Sequence, residues 1–141
     1  MKHLRGKTAV ITGAAGGLGS ALAKALAKES CHLALIDINQ QALSELTEKL
    51  KTPALRISYH VVNLCNKTEI DNLPAELILV HSSIDVIINN AGMTLQKSIE
   101  SHSADDWQRV FNLNFWAAVS MCQTFLPFLR QQNSAHIVNL S

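Results

Sequence analysis

The stretch Thr12 to Gly19, TGAAGGLG, constrains this chain most, because it places four glycines within eight residues between two unlike patterns. Before it, Thr8 to Thr12 (TAVIT) is a short apolar, β-branched run, the mark of a strand covered on both faces. After it, Leu18, Leu22 and Leu26 recur every fourth residue with Ala21 and Ala25 beside them. That spacing predicts a helix to about Glu29 whose small residues let it lie close to a sheet. Glycine between strand and helix allows a tight turn and lets backbone N–H groups approach a pyrophosphate, while the helix N-terminus offers unpaired donors and partial positive charge. The strand-turn-helix setting gives the motif weight that a lone glycine triplet lacks.

The same alternation continues. His32 to Ile36 reads as a second strand, Leu43, Leu46 and Leu50 as a second helix closed by Lys51 to Pro53, and Arg56 to Val62 as a third strand. A helical segment spans Lys67 to Val80 with Pro74 in or near it, and Ile84 to Ile88 is the fourth strand. Ser103 with Asp106 resembles a capping box that opens a helix over Asp105 to Arg130. One face of it carries Trp107, Val110, Phe111, Ala118, Met121 and Phe125, and the other Phe115, Trp116, Val119 and Leu126. A helix apolar nearly all round is covered on more than one side, so it is expected to pack on the sheet and on a second helix or subunit. Pro127 should end or kink it, and HIVNL, from His136, forms the fifth strand. Strands alternating with helices at this spacing imply βαβ units and a parallel sheet, an α/β fold.

Composition narrows the function classes. The 141 residues are 48% hydrophobic and 16% charged with a net charge of +1, a globular balance that makes one domain over 1–141 the expectation and argues for no polyanionic partner. The basic lead Lys2, His3, Arg5, Lys7 has no interleaved aromatics and reads as a solvated entry to the first strand, not a nucleic-acid surface. The apolar runs are too short for a transmembrane helix, and the N-terminus lacks an apolar signal segment. Cys31, Cys65 and Cys122 are far apart and odd in number, so they are expected to be buried, reduced thiols of a cytoplasmic protein. The six histidines occur singly, without metal-ligand spacing, and no metal is assigned.

Asp37 ends the second strand 18 residues after Gly19, where a dinucleotide site puts an acid for the adenosine ribose hydroxyls. Facing the 2′-phosphate of NADP, that carboxylate makes a like-charge contact costing several kcal/mol, and the turn position able to carry a compensating base is Gly16. NAD is therefore expected over NADP. The competing reading makes Asp37 the N-cap of the next helix.

The glycine turn resembles the TGxxxGxG of the short-chain dehydrogenase/reductase family, with Gly13, Gly17 and Gly19 on the three glycines. Gly13, Gly16 and Gly19 equally fit the TGxxGxxG of the epimerase-like branch, but Asn89, Asn90, Ala91 and Gly92 form the NNAG of the ordinary branch. DDWQRVFNLNFWAA (Asp105 to Ala118) and HIVNLS look like the next two family segments in order. The resemblance implies a Rossmann-like, doubly wound parallel sheet in order 3-2-1-4-5, ending after the fifth strand. It implies cofactor contacts from Gly13, Gly17, Leu18, Gly19, Asp37, Ile38, Asn63, Leu64, Asn90, Ala91 and Gly92. Asn63 departs from the family's usual Asp at the adenine, though its amide oxygen can still accept from the adenine amino group. Asn114 matches the family's catalytic asparagine. It lies on the apolar stripe with Trp107, Phe111 and Ala118, where an unpartnered buried amide costs roughly 1 to 3 kcal/mol, so it is expected to hold a water or a backbone group, or to serve as a structural brace.

The implied chemistry is hydride transfer between a nicotinamide and a small-molecule secondary alcohol or ketone, with a Tyr as acid/base, a Lys four residues later, and a Ser at the substrate oxygen. The only tyrosine, Tyr59, is followed at the fourth position by Asn63, so no YxxxK is present, and Ser141 aligns with the residue before the catalytic Ser. The expectation is the N-terminal part of such an enzyme, inactive alone and homo-oligomeric through the Asp105 to Arg130 helix, with an exposed sheet edge along the fifth strand. A non-catalytic dinucleotide-binding or interaction module is the alternative.

Overall fold

The computed structural model describes residues 3–141, so Lys2 of the basic lead lies outside the described residues. Strand β1 (Thr8–Thr12) is followed by helix α1 (Gly17–Lys28), β2 (His32–Asp37), α2 (Gln40–Leu50), β3 (Ile57–Val61), α3 (Lys67–Leu77) and β4 (Val86–Asn89). Helix α4 (Ala104–Phe111) then runs through a π-helical turn (Asn112–Trp116) into α5 (Ala117–Leu129), and β5 (His136–Asn139) completes a parallel sheet in the order β3-β2-β1-β4-β5. The expected order holds, and β4 begins two residues later than the apolar run suggested.

The central strand divides two cores. Val10 faces α3 and α5 with Ala34, Ile36, Ile87, Leu73, Met121 and Phe125, while Ala9 and Ile11 face α1 and α2 with Leu33, Leu35, Ala23, Leu43 and Leu46. Alternate residues of one strand thus bury opposite faces, the reason β1 reads as a continuous apolar run. After β2 the chain steps outward to β3 and then returns to the far side of β1 as β4, making a switch point at the carboxyl ends of β1 and β4.

The opposite ends of these strands are held by a buried carboxylate. Asp85 accepts from Lys7 Nζ at 2.7 Å, the Thr8 N–H at 3.0 Å and Ser83 Oγ at 2.6 Å. Burial works to raise this carboxyl, and those three bonds outweigh it, leaving it below its ordinary range. Lys7 is therefore a clamp between β1 and β4, not part of a solvated lead-in.

The Asp105 to Arg130 helix is interrupted. The capping box forms, with Asp106 N–H donating to Ser103 Oγ and Ser103 N–H to Asp106 Oδ2. Lys97 beside Asp106, followed by the Ser103 N–H, holds its carboxyl at about 2. Past Phe111 the π turn shifts the pattern: Met121 and Phe125 are buried, whereas Trp107 and Phe111 of the expected core face are exposed with Phe115 and Trp116. Pro127 sits in the last turn of α5, which ends two residues later. Only Cys31 of the three thiols is buried, and that burial raises it to about 11; Cys65 is exposed and Cys122 intermediate. No described helix is long and apolar enough to cross a membrane.

Candidate functional site

An open cleft of about 890 Å³ lies across the carboxyl ends of the strands, at the switch point. All twelve residues singled out in the sequence line it: Gly13, Gly17, Leu18, Gly19, Asp37, Ile38, Asn63, Leu64, Asn90, Ala91, Gly92 and Asn114. They come from five separate segments, so the fold, not local sequence, assembles them.

The glycine turn is built by three different constraints. Gly13 has φ +63°, and a Cβ there would meet the Ala91 Cα at 2.9 Å. At Gly19 a Cβ would lie 2.1 Å from the Gly13 carbonyl oxygen, so the start of α1 rests directly on the turn. At Gly17 a Cβ would meet nothing within 4 Å, which leaves the helix's first residue open to the cleft. Gly16 is the N-cap and supplies no side-chain cap bond, so the first N–H groups of α1, at the cleft, have no capping side chain among the described residues.

Asp37 bridges β2 to that turn. Its Oδ2 accepts from the Ala15 N–H at 3.0 Å and its Oδ1 from the Asn39 N–H at 3.1 Å, leaving further lone pairs on each oxygen. It is not the cap of α2: Asn39 holds that position and accepts from the Ala42 N–H at 3.1 Å.

On the other side of β1, Asn90 is committed to bracing. Its Nδ2 donates to the Thr12 and Gly13 carbonyls at 3.0 and 3.1 Å, while Thr12 Oγ1 accepts from the N–H groups of Asn90 and Ala91. Asn114 holds a backbone partner, as expected, but its burial differs from expectation. It is exposed rather than buried in a stripe, and its amide grips one backbone residue, accepting from the Met93 N–H at 2.8 Å and donating to the Met93 carbonyl at 2.9 Å. A Cβ on Gly92 would sit 3.4 Å from Asn114 Oδ1, close to ordinary contact, so the pairing does not depend on glycine there. Asn114 lies in the π turn, where the Ala117 N–H reaches back to the Asn112 carbonyl instead of Leu113, so the turn opens main-chain bonding beside the cleft.

Met93, Thr94, Leu113, Leu140 and Ser141 also line the cleft and were not among the expected residues. Met93 and Thr94 directly follow NNAG, which was the available signal; the Met93–Asn114 pairing spans 21 residues and had none.

A family model described as short chain dehydrogenase matches residues 7–141. An uncharacterized oxidoreductase of Staphylococcus epidermidis is 33% identical over all 141 residues, which span 60% of its own length. A 3-oxoacyl-[acyl-carrier-protein] reductase of Thermotoga maritima is 29% identical over 99% of the chain and 56% of its own length. Among solved structures, a short-chain dehydrogenase/reductase of Burkholderia phymatum, crystallised in complex with NAD, superposes with a TM-score of 0.90 at 29% identity, over 97% of this chain and 49% of that one.

Proposed function

The chain belongs to the short-chain dehydrogenase family, and from that premise we propose that its cleft is the dinucleotide half of an NAD-dependent oxidoreductase acting on a secondary alcohol or ketone. The carrying observation is the position of Asp37: its carboxylate is tied to the Ala15 N–H of the glycine turn, so ribose hydroxyls and pyrophosphate find their partners side by side. The residues fit such a group. Gly17 leaves room where a side chain would intrude, and the free donors of α1 offer an anion its complement.

When bound, a nicotinamide dinucleotide supplies the hydride that is exchanged with the substrate carbon. The chain's own residues bind and orient. The turn at Gly13 to Gly19 holds the pyrophosphate, Asp37 and Ile38 the adenosine ribose, Asn63 and Leu64 the base, and Asn90 to Gly92 the second ribose. Asn114 contributes from the π turn, its amide held by one bond each way to the Met93 backbone and keeping a second N–H and a second lone pair. Without a tyrosine followed by a lysine four residues on, the chain has no acid/base pair of its own and is inactive alone. We assign the protein to the cytoplasm, as a homo-oligomer through α4 and α5.

Calorimetric titration with NAD and NADP tests this reading. NAD is expected to bind at least tenfold more tightly, from the like-charge contact between Asp37 and a 2′-phosphate; equal or tighter NADP binding would overturn the cofactor assignment. Incubation of the same protein with NADH and a panel of ketones is expected to consume no NADH over time.

A further inference from the structure

The connection that leaves the cleft after Gly92 is tied to the rest of the fold at few points. Met93 and Thr94 still line the cleft, and between Thr94 and His102 the chain forms one short 3-10 turn, Ile99–Ser101. Its hydrogen bonds lie mostly within itself. The Lys97 N–H donates to the Leu95 carbonyl at 3.1 Å and the Ser101 N–H to the Ser98 carbonyl at 3.0 Å, and the Ser98 and Ser101 hydroxyls pair at 2.8 Å. His102 rests on Trp107 with ring centroids 5.1 Å apart, at the far end. The hydrogen bond that reaches out is Lys97 Nζ to Asp106 Oδ2, at 2.6 Å. Its acceptor is fixed in advance, because the same oxygen takes the Ser103 N–H at 3.1 Å in the capping box and the Asp106 side chain is only 10% exposed. Short charge-assisted bonds of this kind are the stronger ones. Further along the same rod, the Asn114 amide grips Met93. Met93 to Lys97 is thus tied at both ends to α4 and the π turn that follows it, with Thr94 between the ties.

Resting on the dinucleotide reading above, we propose that Lys97 is a positioning residue for the nicotinamide half of the cofactor: through Asp106 it holds Met93 and Thr94 at the cleft wall, and the adenosine half does not depend on it. The sheet order separates the two halves. The glycine turn follows the central β1, the ends of β2 and β3 build the adenosine side, and the segment after β4 builds the opposite side. The Lys97 and Asp106 side chains bond to each other and to Ser103, and to nothing on β1, β2, β3 or the glycine turn among the described residues. Loosening the pair therefore frees one wall of the cleft and leaves the other in place. Lys97 is absent from the cleft lining, so its effect is transmitted through the backbone of Met93 and Thr94.

Calorimetric titration with NAD and with ADP, which carries the adenosine and two phosphates without the nicotinamide half, tests the assignment. The unaltered chain is expected to bind NAD more tightly than ADP. Lys97→Met, which keeps an unbranched stem and removes the ammonium, should weaken NAD about fivefold and ADP by less than about twofold, the scale of coupling between residues in contact. Lys97→Arg, whose guanidinium still pairs with Asp106, should recover most of the loss. A general loosening of the fold would lower both affinities together. Equal weakening of NAD and ADP in Lys97→Met, unchanged NAD binding there, or no recovery in Lys97→Arg therefore overturns the role of Lys97 while leaving the cleft a NAD site. An unaltered chain that binds NAD no more tightly than ADP overturns it as well. Binding of neither ligand to the unaltered chain overturns the dinucleotide reading, and this inference with it.

Discussion

The glycines of TGAAGGLG look alike in sequence, and two spacings fit them equally well. Their surroundings separate them. A Cβ on Gly19 would meet main-chain atoms of Gly13 and Ala14 at 2.1 and 2.8 Å, which cannot swing aside as a flexible side chain can. Gly19→Ala is therefore expected to cost about 2 to 4 kcal/mol of stability, at and beyond the usual range for overpacking, as read from urea unfolding. Gly17→Ala, facing open space at the first turn of α1, should stay within about 0.5 kcal/mol of the unaltered chain and instead weaken NAD binding about tenfold. A stable Gly19→Ala protein would show that α1 does not rest on the turn as described. The same limit of local reading applies at Asp37. Asp and Asn both cap helices well, so the order Asp37-Ile38-Asn39 could not say which residue caps α2; only the bond from Ala42 to Asn39 decides it, freeing Asp37 for the cleft.

The elements that sequence displayed most clearly are those whose pattern is purely local. The five strands, α1, α2 and the Ser103–Asp106 box were legible because burial on a sheet and capping each leave a short-range signature. The α4–α5 rod was not, since its π turn inserts one residue and rotates everything after it by about 100° relative to a straight helix. A single stripe from Trp107 to Phe125 therefore joined residues that face different ways. Sequence also did not disclose the chain of bonds tying β3 to α3, in which His81 Nε2 pairs with Ser58 Oγ at 2.8 Å, Ser58 Oγ with His60 Nε2 at 2.9 Å, and His60 Nδ1 with Glu76 Oε2 at 3.0 Å. Burial, then the nearby His32, His60 and Arg56, pushes His81 from 6.5 down to about 4. Because the folded pKa is the lower one, its contribution is fully present above pH 6.5 and is lost as pH falls toward 4, while the unfolded chain takes up the proton first. The loss is on the order of 2 to 3 kcal/mol by pH 4. A falling urea midpoint across that window is expected, with a flatter profile in His81→Gln, whose amide can still bond Ser58 but does not titrate. Identical slopes in both proteins would remove His81 as the cause.

At the scale of the whole molecule, two of the apolar surfaces exposed among the described residues bear on association. One is the β5 edge, whose four residues are all exposed; the other is the stripe of Trp107, Phe111 and Phe115, spaced about one turn apart along α4 and the π turn, with Trp116 next to Phe115. In the stripe, Phe115 and Trp116 are each more than half exposed and stacked edge to face at 5.1 Å. Aromatics carry much of the energy of protein interfaces, and a contiguous exposed set marks an interaction surface. The strand edge offers unpaired backbone groups, which favour pairing of another kind. The two surfaces make different predictions. If copies associate through the helices, sedimentation velocity at micromolar concentration will show a dimer or larger species, and Trp116→Glu will convert it to monomer while circular dichroism keeps the unaltered spectrum. Val138→Lys, on the β5 edge, will leave that association in place. Monomer at every concentration would exclude the helix interface, and dissociation by Val138→Lys but not by Trp116→Glu would move the contact to the strand edge.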